Sequence, residues 1–168
     1  MGPILCPQVT RVHLNAYVPA PIEEVFDFFE DPDNTLEFNE HAERFEVVEV
    51  QPDGRRTIDV VMQAGRKRWM QTVEQVVREP PTRLTTRGGT WTTQRDRLIL
   101  TATTDRRFSV EGDGTRVDVA IDLRLQQPLQ RPFWAVVGWL QRGAARRQFE
   151  HQLSLVAQRL AGRGQPIP

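Results

Sequence analysis

Apolar and polar residues alternate along this chain with a period that changes twice. From Thr10 to Val18, the apolar Val12, Leu14, Ala16 and Val18 alternate with Arg11, His13, Asn15 and Tyr17, the period of a half-buried strand. Pro19-Ala20-Pro21 stops that strand. Pro21 suits the first turn of a helix, where a missing N–H loses no bond, and Glu23 and Glu24 meet the positive helix end. Ile22, Val25, Phe26 and Phe29 follow at helical spacing. Asp31-Pro32-Asp33 breaks the helix, and the pattern predicts a second short one over about 34–39, with Leu36 and Phe38 as its apolar residues.

The strand period then returns and holds as far as Leu125. It predicts strands over 45–50, 57–64, 67–77, 83–87, 97–110 and 116–125. They are separated by Gln51-Pro52-Asp53-Gly54, Gly65, Glu79-Pro80-Pro81, Gly88-Gly89 and the hairpin signal Glu111-Gly112-Asp113-Gly114. In the last strand Val117, Val119, Ile121, Leu123 and Leu125 alternate without exception against Arg116, Asp118, Ala120, Asp122 and Arg124. Helical spacing takes over across about 132–160, where Phe133, Val137, Leu140 and Ala144 form a stripe that Phe149, Leu153, Val156 and Leu160 continue. Gly138 and Gly143 mark a bend there or the close approach of a neighbour, and Gly162, Gly164 and Pro166 end the helix.

This order is α+β: a strand, two short helices, six antiparallel strands and a long helix. An antiparallel sheet with one apolar face needs a cover. Only the last helix is large enough, and a single helix leaves space above so wide a sheet. A cavity between sheet and helix is therefore expected, of the kind that takes apolar ligands.

The chain resembles the helix-grip proteins of the START/Bet v 1-like (SRPBCC) superfamily, and most closely its bacterial polyketide cyclase/dehydrase-like branch. The likeness is carried by Val18-Pro19-Ala20-Pro21-Ile22-Glu23-Glu24-Val25-Phe26-Asp27-Phe28, by Asp31-Pro32 opening the second helix, and by Glu79-Pro80-Pro81-Thr82-Arg83-Leu84 between strands. Gly114-Thr115-Arg116-Val117 at the last hairpin and the long final helix complete it. The resemblance implies a curved seven-stranded antiparallel sheet wrapped around the C-terminal helix, with two short helices between the first two strands. It covers about 9–160 of what reads as one domain over 1–168.

Cyclases of this group carry Trp-x-Ser-x-Arg on the strand before the proline turn, with the Ser and Arg pointing into the cavity. Here Trp69-Met70-Gln71-Thr72-Val73 keeps the tryptophan and replaces the other two. An arginine there would pair an oxyanion, which Val73 cannot do. The departure favours a binding or carrier role for an apolar small molecule: a lipid, a fatty acid, or an aromatic or polyketide-like metabolite. The alternatives are a polyketide cyclase/dehydrase-type enzyme and a module that binds a protein partner. In the carrier reading, the second helix and the loops around Gly88 to Trp91 open to admit the ligand.

Composition narrows the partners. The 168 residues carry 22 basic and 22 acidic side chains, a formal charge of zero, which argues against a nucleic-acid partner. No apolar run reaches the roughly 20 residues of a bilayer span, so no integral membrane segment is expected. Met1–Pro7 lacks the basic and long apolar regions of a signal peptide, which predicts a cytoplasmic protein, monomer or homodimer. Cys6 is the lone cysteine, and Lys67 the lone lysine beside 21 arginines. A Schiff-base mechanism would have only Lys67 or the N-terminus to use.

His13, His41 and His151 have no second ligand at metal spacing, so neither metal nor other cofactor is expected. His13 and His151 read as surface residues. His41, near where the group's second helix borders the cavity entrance, is the one candidate acid/base. The candidate ligand-binding residues are Trp69, Gln71, Trp91, Phe38, Arg106, Phe108, Val119, Ile121 and Val137. Trp134 and Trp139 lie about 140° apart around a regular helix, so both cannot face one cavity squarely. Arg106 alternates onto the side of Leu100 and Ala102, where a guanidinium needs a partner or an anionic ligand. Arg142, Arg146 and Arg147 read as a solvated basic face.

Overall fold

A computed structural model describes residues 9–37, 42–91, 98–125 and 131–163. Strand β1 (Val9–Val18) leads into helices α1 (Ile22–Glu30) and α2 (Pro32–Glu37). Then come β2 (Ala42–Val50), β3 (Arg56–Ala64), β4 (Lys67–Glu79), β5 (Arg83–Trp91), β6 (Leu98–Glu111), β7 (Gly114–Leu125) and α3 (Arg131–Arg163). The seven strands make one antiparallel sheet in the order β1-β7-β6-β5-β4-β3-β2, the helix-grip arrangement expected from the sequence. Among the described residues β1 pairs only with β7, and β2 forms the other edge.

Pairing register decides which residues share the helix-covered inner face. Leu14 stands opposite Val119, Val119 opposite Arg106, and Arg106 opposite Leu84. A second row runs Val12, Ile121, Thr104, Thr86, Gln75, and a third runs Leu123, Ala102, Gly88, Val73, Ile58. Over the β1–β7–β6 half lie Val25, Phe26 and Phe28 of α1 and Leu153, Val156 and Leu160 of α3, all buried with Val18, Val117 and Phe108. A smaller cluster of Ile58, Val60 and Met62 forms at the β3 side, with Ala42, Phe45 and Trp69 packed against it. Ion pairs cross the outer face, among them Arg11–Asp122 at 2.6 Å and Arg83–Asp105 at 2.9 Å.

Two close fits hold the start of β7 against the β1–α1 connection. The fully buried Thr115 donates its hydroxyl to the Ala20 carbonyl at 2.8 Å. A Cβ on Gly114 would stand 2.5 Å from the Val18 carbonyl oxygen, so only glycine fits there.

The structure corrects several boundaries. α2 begins at Pro32, because Asp31 accepts the Asp33 N–H at 3.0 Å and acts as the cap. β5 does not stop at Gly88-Gly89 but runs to Trp91. Both glycines are bridged on each side, by Val73 and Thr72 in β4 and by Ala102 and Thr101 in β6, and two-sided pairing overrides their low strand propensity. The stretch from Gly88 to Trp91 is therefore strand and not a loop free to open. β4 runs on to Glu79 through a bulge between Gln75 and Val77. α3 is continuous from Arg131 to Arg163, and nothing approaches the Cβ position of Gly143 within 4 Å.

Candidate functional site

The inner face changes character at its centre. Between the two buried clusters, Gln71 and Val73 of β4, Thr86, Gly88 and Thr90 of β5, and Leu100 and Ala102 of β6 are only half-buried. This strip is partly polar and is floored at Gly88 by bare backbone. A methyl group there would touch Gln71 Nε2 and the Ala102 carbonyl at 3.9 Å, an ordinary contact.

Arg106 borders the strip. Its guanidinium donates through Nη1 to Thr86 Oγ1 at 3.2 Å and lies 5.6 Å from the centre of the Phe29 ring. Phe29 is fixed in turn by Phe108 and Phe28, at centroid separations of 5.7 and 5.8 Å. Among the described residues no carboxylate faces Arg106, and burial pulls its pKa well below the usual arginine range, to about 10. The part of its surface left open faces a small cleft of about 30 Å³, walled by Phe28, Val119, Phe149, Leu153 and Val156, with Gln152 as the other polar group.

Arg78 offers the contrast. It meets α1 too, but pairs with Glu30 through both carboxylate oxygens, and this hydrogen bonding raises its pKa. On the outer face, Asp105 is held by Arg83, Thr85 and Arg107 at 2.9, 2.7 and 3.2 Å. Its burial alone would raise its pKa, but these bonds outweigh that and lower it.

Phe28 also lines a second, larger space. This groove of about 550 Å³ lies outside α1, between Pro19, Ala20, Pro21, Glu24, Asp27, Asp31, Asn34 and Leu160. Phe28 is thus common to the lining of groove and cleft.

Of the sequence candidates, Trp69, Gln71, Arg106, Phe108, Val119 and Ile121 share the inner face by register. They do not converge on one point. Arg106 and Val119 line the cleft, Gln71 lies in the strip, and Trp69 packs on the Met62 cluster. Phe108 and Ile121 are core, with Phe108 edge-on to Phe26 at 5.6 Å. Phe38 and His41 lie outside the described residues, as do the side chains of Trp91 and Val137. His13 and His151 are exposed. Arg146 is exposed and pairs with Glu150 at 2.7 Å, and Arg147 is exposed. Sequence reasoning missed Phe29, Thr86 and Gln152 as neighbours of Arg106. Alternation could have found Thr86, but the two helical residues depend on how α1 and α3 dock.

Among the described residues no helix is long and apolar enough to cross a membrane, and no group of three His, Cys, Asp or Glu could hold a metal. The seven-stranded antiparallel sheet, the two short helices after β1 and the long C-terminal helix make the helix-grip fold. The chain matches the family described as polyketide cyclase / dehydrase and lipid transport over residues 9–156, and belongs to it.

Solved structures of the same fold include a START superfamily protein from Mycobacterium smegmatis, 14% identical, covering 89% of this chain and 98% of that one, with a TM-score of 0.68. The di-domain ARO/CYC BexL from the BE-7585A biosynthetic pathway is 17% identical, with 94% of this chain and 51% of that one covered and a TM-score of 0.69. A protein from Thermus thermophilus is 22% identical over 92% of this chain and 99% of its own, at a TM-score of 0.65. No curated protein sequence matches the chain.

Proposed function

We infer that the chain binds or carries an apolar small molecule on the inner face of its sheet, beneath α1 and α3. The observation that carries this reading is the half-buried strip from Gln71 to Ala102, surface left accessible between two filled cores. Burying apolar ligand surface there supplies about 25 cal/mol per Å². The family's lipid-transport members support the same reading. The cleft of about 30 Å³ is too small for such a ligand by itself, so a bound molecule lies along the strip and reaches the cleft with one end. On this reading the chain works as one cytoplasmic domain, as monomer or homodimer, without metal or cofactor.

The cyclase/dehydrase-type enzyme draws support from the polar groups on that face, Gln71, Thr86, Thr104 and Arg106. Threonine and glutamine do not titrate near neutrality, and an arginine with a pKa of about 10 stays protonated. These groups bind and orient, but they do not take a proton. An enzyme would need its base from elsewhere, with His41 the candidate.

Native mass spectrometry of the purified protein, followed by denaturing extraction, tests the carrier. A stoichiometric apolar species is the expected result. An empty protein that also shows no thermal shift with apolar ligands would move the assignment to a protein-partner module.

A further inference from the structure

We propose that the ligand ends in a carboxylate and that Arg106 pairs with it; this rests on the small-molecule reading above and narrows its substrate class. Arg106 is a largely enclosed charge, open only toward the cleft, whose described contacts are one threonine hydroxyl and one aromatic ring. A guanidinium carries five donors in a planar fork, and a hydroxyl uses one. Arg78, also under α1, has its carboxylate in Glu30; the equivalent partner for Arg106 is missing from the described residues.

The sequence adds an independent point. From Leu123 to Phe149 there is no aspartate or glutamate, so the linker and first half of α3 offer no acid; the acids outside the described residues are Glu40 and Asp96. The remaining cleft walls are apolar except Gln152, a neutral group able to donate to a second carboxylate oxygen. One positive charge in a cleft of about 30 Å³ fits a singly charged planar headgroup. A phosphate would bring more charge and more acceptors than one arginine and two neutral groups satisfy.

The test compares dodecanoate, dodecanol and dodecyl phosphate by calorimetry on delipidated protein at pH 7, with 2-naphthoate and 2-naphthalenemethanol as an aromatic pair. In the wild type one acid should bind about tenfold or more tighter than its alcohol. Arg106→Met should weaken that acid by about 10- to 100-fold and leave the alcohol within about threefold, the size of a hydrogen-bonded charge interaction. Acid and alcohol binding equally well, or losing affinity equally in the variant, overturns the carboxylate anchor and leaves the apolar-ligand reading standing. Preference for the phosphate overturns the headgroup. Binding of none of the probes overturns both readings. If the variant does not fold, the wild type still decides. Affinity for the acid should fall as pH drops below about 5, where the carboxyl protonates, while affinity for the alcohol stays flat.

Discussion

Replacing Arg106 with methionine should stabilise the ligand-free protein. Burial lowers the arginine pKa well below its usual range, to about 10, which at 1.4 kcal/mol per tenfold is a cost of about 3 kcal/mol for keeping it charged. The sign follows from linkage: below about pH 10 the group is protonated in folded and unfolded chains alike, so the penalty is present in full at neutral pH. It lifts only as pH rises above about 10, toward the ordinary arginine value. Against it stand the Thr86 hydrogen bond at 3.2 Å and the Phe29 ring at 5.6 Å, together about 1–2 kcal/mol. The net is a site that destabilises the empty protein by about 1–2 kcal/mol, within the range seen when buried charges are replaced by apolar residues. Methionine keeps an unbranched stem between Leu84 and Val119 and brings a thioether toward Phe29, so little space is left behind. Urea unfolding of delipidated protein at pH 7 measures the difference. Calorimetry should show Tm rising by roughly 2–4 °C per kcal/mol. A variant less stable than wild type by 1 kcal/mol or more would refute the reasoning, since it would mean the guanidinium is already satisfied in the empty fold.

Thr115→Val should cost about 1–3 kcal/mol in urea unfolding, because it leaves the buried Ala20 carbonyl without its donor; no change would mean water replaces the hydroxyl. Asp105 has a lowered pKa, so its contribution to stability is complete above the unfolded value near 3.9 and is lost as pH falls through the folded one. Unfolding measured from pH 7 to pH 3 should therefore decline more steeply below about pH 4 in wild type than in Asp105→Asn, and parallel curves would contradict the assignment. Phe28→Ala should join the outer groove to the cleft, lowering stability by about 3–5 kcal/mol while admitting bulkier apolar probes. Unchanged probe size selectivity in a folded variant would show that Phe28 is not the wall between them.

Much of the inner face was legible because pairing from β1 through β7 and β6 runs without a slip, so simple alternation carried each residue to its observed side. Arg106 beside Ala102 and Leu100 is the clearest case. Alternation failed at β4, where the bulge between Gln75 and Val77 reverses the parity and sets Arg78 opposite Leu84. Nothing local in the sequence marks that extra residue. Gly88-Gly89 misled for a different reason. Glycine signals a turn only where the chain is free to turn, and a strand bridged on both sides is not. The pairing of Arg78 with Glu30 and the stacking of Phe29 over Arg106 are tertiary, set by how α1 lies across the sheet. Sequence spacing specifies that helix but not its docking.

The strand order has a consequence for biosynthesis. β2, β3 and β4 meet their sequence neighbours across short turns, and β6 meets β7 the same way, so these hairpins can form as they leave the ribosome. β1 has no such neighbour: Val12 and Leu14 wait for Ile121 and Val119, far along the sequence. α3, which covers β1, is made later still. Until β5, β6 and β7 have been made, the apolar face of α1, with Phe26 and Phe28, has no sheet to settle on. The β1–α1 segment thus keeps its apolar residues uncovered longer than any hairpin does, and the pocket around Arg106 closes only once Phe149 to Val156 of α3 have been made.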